Sequence, residues 1–445
     1  MCLCVFVPSC LRVLAFVPFN MSYRNAPISP LMRLIYLLFR GLTWAGLNVF
    51  YKKRLILGRG YTRFDGPAIV VCNHPCTLMD PLNIGLQIQQ EMYFLANYGL
   101  FKHPVSNWFF SRLFCIPVKR KEDVAEGEAR DNEAAFEASF QHLERNGVLF
   151  IAAEGVSWMN RYVRPFKTGA ARIALGAERR QDWQLGVKII PVGLTYEDPQ
   201  LFRKRVVIEY GAPIDPKPWA EAYLQNPEQA VDDLTEHLRK CVEGLILDSR
   251  QESRDVWVEQ MDIIARQDLE KNQGVPAPQS YFRLKEFLHK NADNESLVQQ
   301  TSAYFEALKT AGLTHAGVAT KKVPAWQLWL LWPFFLLGYA FWFLPCYLPY
   351  LLCKKMDIYP GYDSNIKMLA GLFTFPLALW GGWELVFAVT EQRGVAWLSL
   401  PVWVGLGYVA EYFMDVWGLW REVRKARAYE RKHPGQVIAP GFTLD

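Results

Sequence analysis

The pattern of hydrophobic and polar positions divides the chain into segments of different kinds. Residues 31–50 are mostly leucine, phenylalanine, tryptophan and tyrosine at helical spacing, with Arg33 and Arg40 seven positions apart on one face and a basic run at 52–54. An apolar helix with a basic rim is typical of helices that lie on a membrane surface. A transmembrane helix is the alternative, although two central arginines are costly in hydrocarbon.

Residues 55–215 alternate short β-branched runs with helical patterns. The predicted strands are 68–72, 148–152, 187–192 and 205–210, and the predicted helices are 81–90, 106–114, 131–145 and 169–180. This alternation predicts an α/β domain whose sheet is covered by helices on both sides.

Residues 216–320 are polar and rich in Glu, Gln and Lys, with apolar residues at helical spacing. They predict a helical appendage, not a second catalytic domain. The predicted helices are 227–247, 255–271, 279–290 and 294–311.

The C-terminal part contains three strongly hydrophobic segments, 323–353, 368–390 and 395–420, and the first contains no charged residue. Three prolines in the first segment predict that it is broken and re-entrant. The other two then form a hairpin, which leaves both chain ends in the cytosol and agrees with the positive-inside tendency of the basic tail. Three full spans is the alternative.

These patterns predict five regions. They are a membrane-interacting segment with an amphipathic helix at 1–54, the α/β domain at 55–215, the helical appendage at 216–320, a membrane region at 321–420 with its hairpin at 368–420, and a basic cytosolic tail at 421–445. Residues 1–20 are apolar but lack a basic start and a small-residue cleavage site, so they make a poor signal peptide.

Composition narrows the function classes. The chain has 49 basic and 44 acidic residues, and the net charge of +5 is too weak to argue for nucleic acid as a partner. With 21% charged and 14% aromatic residues, whole-chain disorder and a purely water-soluble enzyme are excluded. None of the nine cysteines falls in a C-x-x-C pair, so we expect reduced thiols and neither a zinc site nor a disulfide framework.

A histidine and an aspartate follow the predicted strand 68–72, in the sequence Asn-His-Pro-Cys-Thr-Leu-Met-Asp at 73–80. On a regular helix, at about 100° per residue, His74 and Asp80 would lie about 240° apart. They can meet only if His74 lies in the loop and Asp80 in the first turn of the next helix. The carboxylate then holds one ring nitrogen and leaves the other as a base. The alternative is a buried histidine beside a helix-capping aspartate.

Further polar residues stand where predicted strands end or a helix begins. They are Arg120 after the run 116–118, Glu154, Gly155 and Ser157 after the strand 148–152, and Lys167 before the helix 169–180. Cations beside a helix start form an anion site, most naturally for a phosphate. The alternative is that these cations are simply solvated.

In this order the fragments resemble the glycerolipid acyltransferase family, which has four sequence blocks. Here the blocks are the NHx5D box at 73–80, IPVKR at 116–120, AAEGVS at 152–157 and IPV at 190–192. The longer box, with KTGAARIA at 167–174 and PVGLTYEDP at 191–199, resembles the branch that acylates glycerol-3-phosphate and dihydroxyacetone phosphate.

Four positions, in three places of the motifs, depart from the family pattern. Ala153 stands where the family usually has proline, and we expect a looser turn there. Trp158 stands where this branch often has histidine, which bears on substrate choice, and Cys76 and Thr77 replace the more common Asn-Ser.

The resemblance implies transfer of a fatty acyl group from acyl-CoA or acyl carrier protein to glycerol-3-phosphate in phospholipid synthesis. It implies His74 as base and Asp80 as its orienting partner, Arg120 and Lys167 on the phosphate, and Glu154, Gly155 and Ser157 around the glycerol. A backbone N–H near Gly155 is a candidate donor to the oxyanion. The alternative acceptor is 1-acylglycerol-3-phosphate or another lysophospholipid.

Two other classes of function fit less well. A serine hydrolase needs a G-x-S-x-G elbow, which Ser157 lacks, and a non-catalytic membrane protein leaves most of the chain without a role. For the acyltransferase we expect no cofactor and no metal, with the thioester as co-substrate and membrane lipids as partners. We expect the catalytic domain on the cytosolic face of a bacterial inner membrane or an endomembrane.

Overall fold

The structure is a computed structural model that describes residues 29–104, 107, 110, 114–119, 132–356 and 359–434. The segment 1–20 and most of the predicted helix 106–114 lie outside the described residues. The chain divides into two units. The first runs to Asp248 and includes Pro360–Asn365, and the second contains Ser249–Tyr359 and continues from Ile366.

The first unit is built on a seven-stranded mixed sheet with the order β1-β7-β6-β2-β5-β3-β4. The strands are β1 (Lys53–Leu57), β2 (Ala68–Cys72), β3 (Met92–Asn97), β4 (Cys115–Val118), β5 (Val148–Ala152), β6 (Lys188–Tyr196) and β7 (Arg205–Tyr210). Five neighbouring strands, from β6 to β4, are parallel, and β7 is antiparallel to β6. The continuous apolar sequence of β2 fits its place inside this parallel part, where every residue of the strand is buried.

Helices cover the sheet as predicted. Those of the first unit are α1 (Pro30–Phe50), α2 (Met79–Gly85), α3 (Glu133–Glu144), α4 (Gly169–Arg180), α5 (Ala220–Gln225) and α6 (Pro227–Glu243). The core on one face joins Ile69 and Val71 of β2 to apolar residues of α3, α4 and α6. Because Leu234 and Leu238 of α6 belong to this core, the predicted domain boundary at 215 moves to Asp248.

Helix α1 is amphipathic, but its arginines lie inside the first unit. The guanidinium of Arg40 is buried and donates to the carbonyls of Gly85, Leu86 and Ile88 at 2.7–2.9 Å, at the C-terminal end of α2 and in the turn that follows it. Arg33 pairs with Glu91 at 3.0 Å. The prediction that these arginines form a rim for the membrane is therefore wrong. The opposite face exposes apolar side chains, Leu31, Leu34, Leu38 and Leu42.

The second unit is helical. Its helices are α7 (Asp255–Ala265), which continues as a π-helix (Arg266–Asn272), α8 (Ala277–Lys290), α9 (Glu295–Thr310), α10 (His315–Ala319), α11 (Trp326–Met356), α12 (Asp363–Thr390) and α13 (Arg393–Lys432). The first three residues of α12 group with the first unit. Among the described residues, three helices are long and apolar enough to cross a membrane, namely α11, α13 and the stretch Pro360–Thr390 that contains α12.

The three prolines of α11 do not break it, contrary to the expectation of a re-entrant segment. Proline at position 349 removes the N–H that would bond the carbonyl of Pro345 in an uninterrupted helix. The hydroxyl of Thr374 in α12 donates to that carbonyl at 3.0 Å. Neighbouring helices commonly satisfy the backbone in this way in apolar surroundings, so the helix continues for 31 residues.

Candidate active site

The candidate site lies where three neighbouring parallel strands end. His74 follows β2 by two residues, Glu154 follows β5 by two residues, and Tyr196 is the last residue of β6. Because β2 pairs in parallel with both β5 and β6, these ends meet at one edge of the sheet. Open α/β sheets build their ligand sites at this edge.

His74 and Asp80 are in contact in the arrangement that their spacing requires. His74 lies in the loop after β2, Asp80 lies in the first turn of α2, and His74 Nδ1 is 2.8 Å from Asp80 Oδ2. A carboxylate at Nδ1 fixes the proton on that nitrogen, which leaves Nε2 as the basic nitrogen. Among the described residues, Nε2 has no hydrogen-bond partner.

The Asp80 carboxylate is fully buried and accepts from three directions. Oδ2 also takes the backbone N–H of Cys76 at 2.8 Å, and Oδ1 takes the hydroxyl of Tyr196 at 2.7 Å. Burial, and secondly the charge of Asp80, raises the pKa of the Tyr196 hydroxyl well above its ordinary value, so the hydroxyl stays a donor. The carboxylate is thus held in one orientation against the imidazole.

A further group supports the carboxylate from behind. The amide of Asn83 lies 3.4 Å from the Tyr196 hydroxyl and accepts from Arg54 Nε at 3.1 Å. Burial lowers the pKa of Arg54 to about 10, which still leaves a cation at neutral pH. Arg54 was predicted to lie at the membrane-facing basic run, and it lies instead inside the first unit.

Asn73 fixes the start of the histidine loop. Its side chain donates to the carbonyl of Leu194 at 2.9 Å and accepts from the N–H of the same residue at 2.8 Å. This two-way bond attaches the loop after β2 to the neighbouring strand β6. Sequence reasoning missed Asn73, Asn83 and Tyr196, although Tyr196 stands at a strand end on the same edge.

The turn after β5 packs directly on the histidine loop. The N–H of Trp158 donates to the carbonyl of His74 at 3.0 Å, and the hydroxyl of Ser157 accepts from the N–H of Thr77 at 3.1 Å. Gly155 adopts a left-handed backbone (φ +76°), and a side chain there would also press on Lys167. The Gly155 N–H donates to the carbonyl of Ala152, so that particular donor is already engaged.

Glu154 is buried at this turn. Burial is the main cause that raises its pKa to about 8, the charge of Asp80 adds to the effect, and the backbone N–H groups of Arg164 and His74 oppose it. A carboxyl with this pKa is mostly protonated at neutral pH and can donate a hydrogen bond.

Ala153 is held firmly, contrary to the expected loosening. Its N–H donates to the carbonyl of Cys72 at 3.2 Å and its carbonyl accepts from the N–H of Lys167 at 2.7 Å. Proline at this position has no N–H for the first of these bonds. Alanine therefore ties the turn to the end of β2 by a bond that the usual family residue lacks.

The sequence predicts two cations for the phosphate, Lys167 and Arg120, and the structure describes only the first of them. The exposed Lys167 lies beside Gly155, just before α4. Arg120 lies outside the described residues, and the strand that precedes it, β4, is three strands from β2, about 14 Å at roughly 4.8 Å per strand. Another cation was missed by sequence reasoning: the guanidinium of Arg164 stacks over the ring of Trp158 at 3.9 Å.

Comparisons with known proteins agree on the family of this region. The family model described as Acyltransferase matches residues 53–195. The chain is 36% identical over 115 residues to glycerol-3-phosphate O-acyltransferase 1 of Saccharomyces cerevisiae, over 26% of this chain and 15% of that protein. It is 25% identical over 153 residues to the chloroplastic 1-acyl-sn-glycerol-3-phosphate acyltransferase BAT2 of Brassica napus, over 34% of this chain and 40% of that protein.

A solved structure is also similar. It is the 1-acyl-sn-glycerophosphate acyltransferase PlsC of Thermotoga maritima, with 19% identity and a TM-score of 0.34 over 52% of this chain and 87% of that one. The chain thus spans less than half the length of either curated relative named above.

Proposed function

We propose that residues 53–195, which match the family model Acyltransferase, form a domain of the glycerolipid acyltransferase family, and that the protein transfers a fatty acyl group from an acyl thioester to a hydroxyl of glycerol-3-phosphate. The observation that carries this proposal is the 2.8 Å contact between His74 and the buried Asp80, at a strand edge that also presents Glu154 and Ser157. An oriented imidazole with one unoccupied nitrogen is the group that a hydroxyl nucleophile needs.

In the proposed reaction His74 Nε2 takes the proton of the acceptor hydroxyl while the oxygen attacks the thioester carbonyl. The tetrahedral intermediate then expels the thiolate, the new oxygen ester forms, and the imidazolium returns the proton to sulfur. Asp80 stabilises the imidazolium and keeps the ring in one tautomer. No acyl-enzyme and no cofactor are required, because the thioester is already activated.

We propose that the acceptor phosphate is bound at the Lys167 side of the site, with Arg120 as a second cation. Lys167 stands immediately before the N-terminus of α4, where backbone N–H groups and a cation favour an anion. Glu154, Gly155 and Ser157 would then lie between the phosphate and the base, next to the glycerol carbons.

We also propose that the first unit works at a membrane surface on the cytosolic side. The exposed leucine face of α1 and the three apolar helices of the second unit are the supporting observations. An acyl chain and a lipid product both partition into the bilayer, so a site at this surface receives the donor and releases the product without carrying either through water.

The choice of acceptor and the role of His74 are tested in one assay. The full chain in lipid nanodiscs is supplied with acyl-CoA or acyl carrier protein thioester and with radiolabelled glycerol-3-phosphate. We expect labelled lysophosphatidate and a loss of about 10²–10⁴-fold in kcat for His74→Ala, the range for removing a general base. His289→Ala, an exposed histidine of the second unit, is the matched control. Equal turnover by His74→Ala and the parent would contradict the assignment.

The acceptor 1-acylglycerol-3-phosphate is the second candidate because the chain also matches the Brassica napus enzyme over 153 residues. Assayed in the same nanodiscs, it would be preferred over glycerol-3-phosphate if this candidate is correct. Thioester hydrolysis without transfer to either acceptor would support a hydrolase instead.

A further inference from the structure

A short segment far along the chain lies against the histidine loop of the first unit. The segment Pro360–Asn365 precedes the apolar part of α12 but belongs to the same unit as β2. It contains a 3₁₀ turn (Pro360–Tyr362) and the first residues of α12. The family match ends at residue 195, so nothing in that match includes this segment.

The segment binds the two loop positions that depart from the family pattern. The hydroxyl of Thr77 donates to the carbonyl of Gly361 at 3.2 Å and accepts from the side-chain amide of Asn365. The thiol of Cys76 lies 3.0 Å from the hydroxyl of Ser364 and 3.3 Å from the carbonyl of Pro199. The unusual Cys-Thr pair therefore has partners of its own in this chain.

The two side chains that the segment contributes are buried. Ser364 is fully buried and Asn365 is only 5% exposed. The carboxamide oxygen of Asn365 has no hydrogen-bond partner among the described residues, so the amide is fixed through its nitrogen. The amide of Asn365 is therefore held by its bond to Thr77.

Thr77 has a backbone that requires support. Its φ of +41° lies in the left-handed region, which a β-branched residue adopts only when surrounding contacts hold it there. Three contacts do so: its N–H donates to Ser157, and its hydroxyl bonds Gly361 and Asn365. Because Thr77 lies between His74 and Asp80, a change in its backbone moves the base relative to the carboxylate.

We propose that Asn365 is a positioning residue of the acyltransferase site, which acts through Thr77 to hold the loop that carries His74. The inference rests on the proposed function and deepens it. The start of α12 is then part of the site, although it lies outside the region that the family model matches. The segment would fix the geometry of the base and leave the acceptor phosphate to other groups.

The chemistry of the Thr77 hydroxyl defines the test. The hydroxyl already donates to Gly361, so Asn365 must supply a donor. Asn365→Leu keeps the approximate shape and removes the donor, and Asn365→Ala removes the group. Thr77→Ser keeps both hydroxyl bonds, whereas Thr77→Val keeps the shape and loses them.

Each variant is measured as the full chain in nanodiscs, with kcat and both KM values determined. We expect Asn365→Leu, Asn365→Ala and Thr77→Val to lower kcat by about 10-fold to 100-fold, the size of effect expected from a small misplacement of a reacting group. Both KM values should change less than about twofold, since substrate binding is left intact. Thr77→Ser should keep parent activity, as should the control Asn291→Ala in the second unit.

A double-mutant cycle identifies the route of the effect. If Asn365 acts through Thr77, Asn365→Ala adds no further loss to Thr77→Val. Three outcomes would each overturn the inference: losses that multiply in the double variant, parent kcat in Asn365→Ala and Asn365→Leu, or a loss confined to KM. If Asn365→Ala does not fold, the near-isosteric pair Asn365→Leu and Thr77→Val decides. A parent chain that acylates neither acceptor would instead overturn the proposed function.

Discussion

The buried and exposed halves of the candidate site are built on opposite principles. Asp80 and Tyr196 are buried and joined by direct hydrogen bonds, and His74 is held against them. Lys167 is exposed at the start of α4. The first half is organised before any substrate arrives, whereas a solvated cation is organised by the anion that it meets.

The difference teaches which measurements each half should affect. A preorganised base contributes to the transition state and therefore to kcat. A solvated cation that binds a phosphate equally in the ground and transition states contributes mainly to KM. The comparison holds only if substitutions in the two halves separate in this way.

The largest effect is expected from Asp80→Asn. Asparagine keeps the size of the side chain but removes the charge that stabilises the imidazolium. Its amide nitrogen is itself a donor, so it cannot accept the hydrogen bonds made to one of the two Asp80 oxygens. We expect kcat to fall by about 10³-fold, within the range for general-base catalysis, with little change in the KM for the acceptor. Steady-state kinetics of the full chain in nanodiscs measure both constants.

Asp215→Asn is the control for that substitution because Asp215 forms an exposed pair with Lys188 in the same unit. It should keep parent kcat. A variant at Asp80 that raised KM and kept kcat would break the distinction between the two halves.

An intermediate effect is expected from Lys167→Ala. Loss of a charge-assisted bond to phosphate costs about 1.5–3 kcal/mol, which corresponds to a rise of roughly 10-fold to 100-fold in the KM for glycerol-3-phosphate. The KM for the thioester should not change. Lys188→Ala, at another partly exposed lysine of the unit, is the matched control. A fall in kcat at unchanged KM would place Lys167 with the base and not with the phosphate.

The separation into halves also explains what the sequence could reveal. His74 and Asp80 lie six positions apart beside an apolar strand, so local spacing alone predicts that they can meet. The partners of Asp80 and Thr77 come from residues 116 and 288 positions away in sequence. Only the pairing of β6 with β2 and the return of the chain at Pro360 bring them together, and no local pattern carries that information.

The same distinction applies to the fold. The strand β2 and the helix α4 were predicted with the bounds that the structure gives, because each is a continuous pattern with clear ends. The strand β1 was missed, because it begins with Lys53 and Arg54 and its sequence therefore resembles a basic linker. The prolines of α11 led to the wrong prediction of a broken helix for a similar reason. The hydroxyl that bonds the free carbonyl of Pro345 belongs to Thr374 of another helix.

The last effect is on stability and not on turnover, and it concerns Glu154, which belongs to the buried half but carries a proton and not a charge at neutral pH. Its pKa is raised to about 8 in the folded protein from an ordinary value of 4.5. The folded state therefore binds more protons than the unfolded state between these values, and stability falls as pH rises through that window. The contribution is complete below pH 4.5 and lost above about pH 8.

Glu154→Gln should remove this slope, because glutamine resembles the protonated carboxyl and does not titrate. Melting temperatures at pH 5, 7 and 9 should fall more for the parent than for the variant, by roughly 2–4 °C for each kcal/mol involved. Glu137→Gln, at an exposed carboxyl whose pKa is lowered by Gln141 and Arg180, should keep the parent slope. An unchanged slope in Glu154→Gln would mean that this carboxyl is ionised in the folded protein, and the buried half would then hold a second charge beside Asp80.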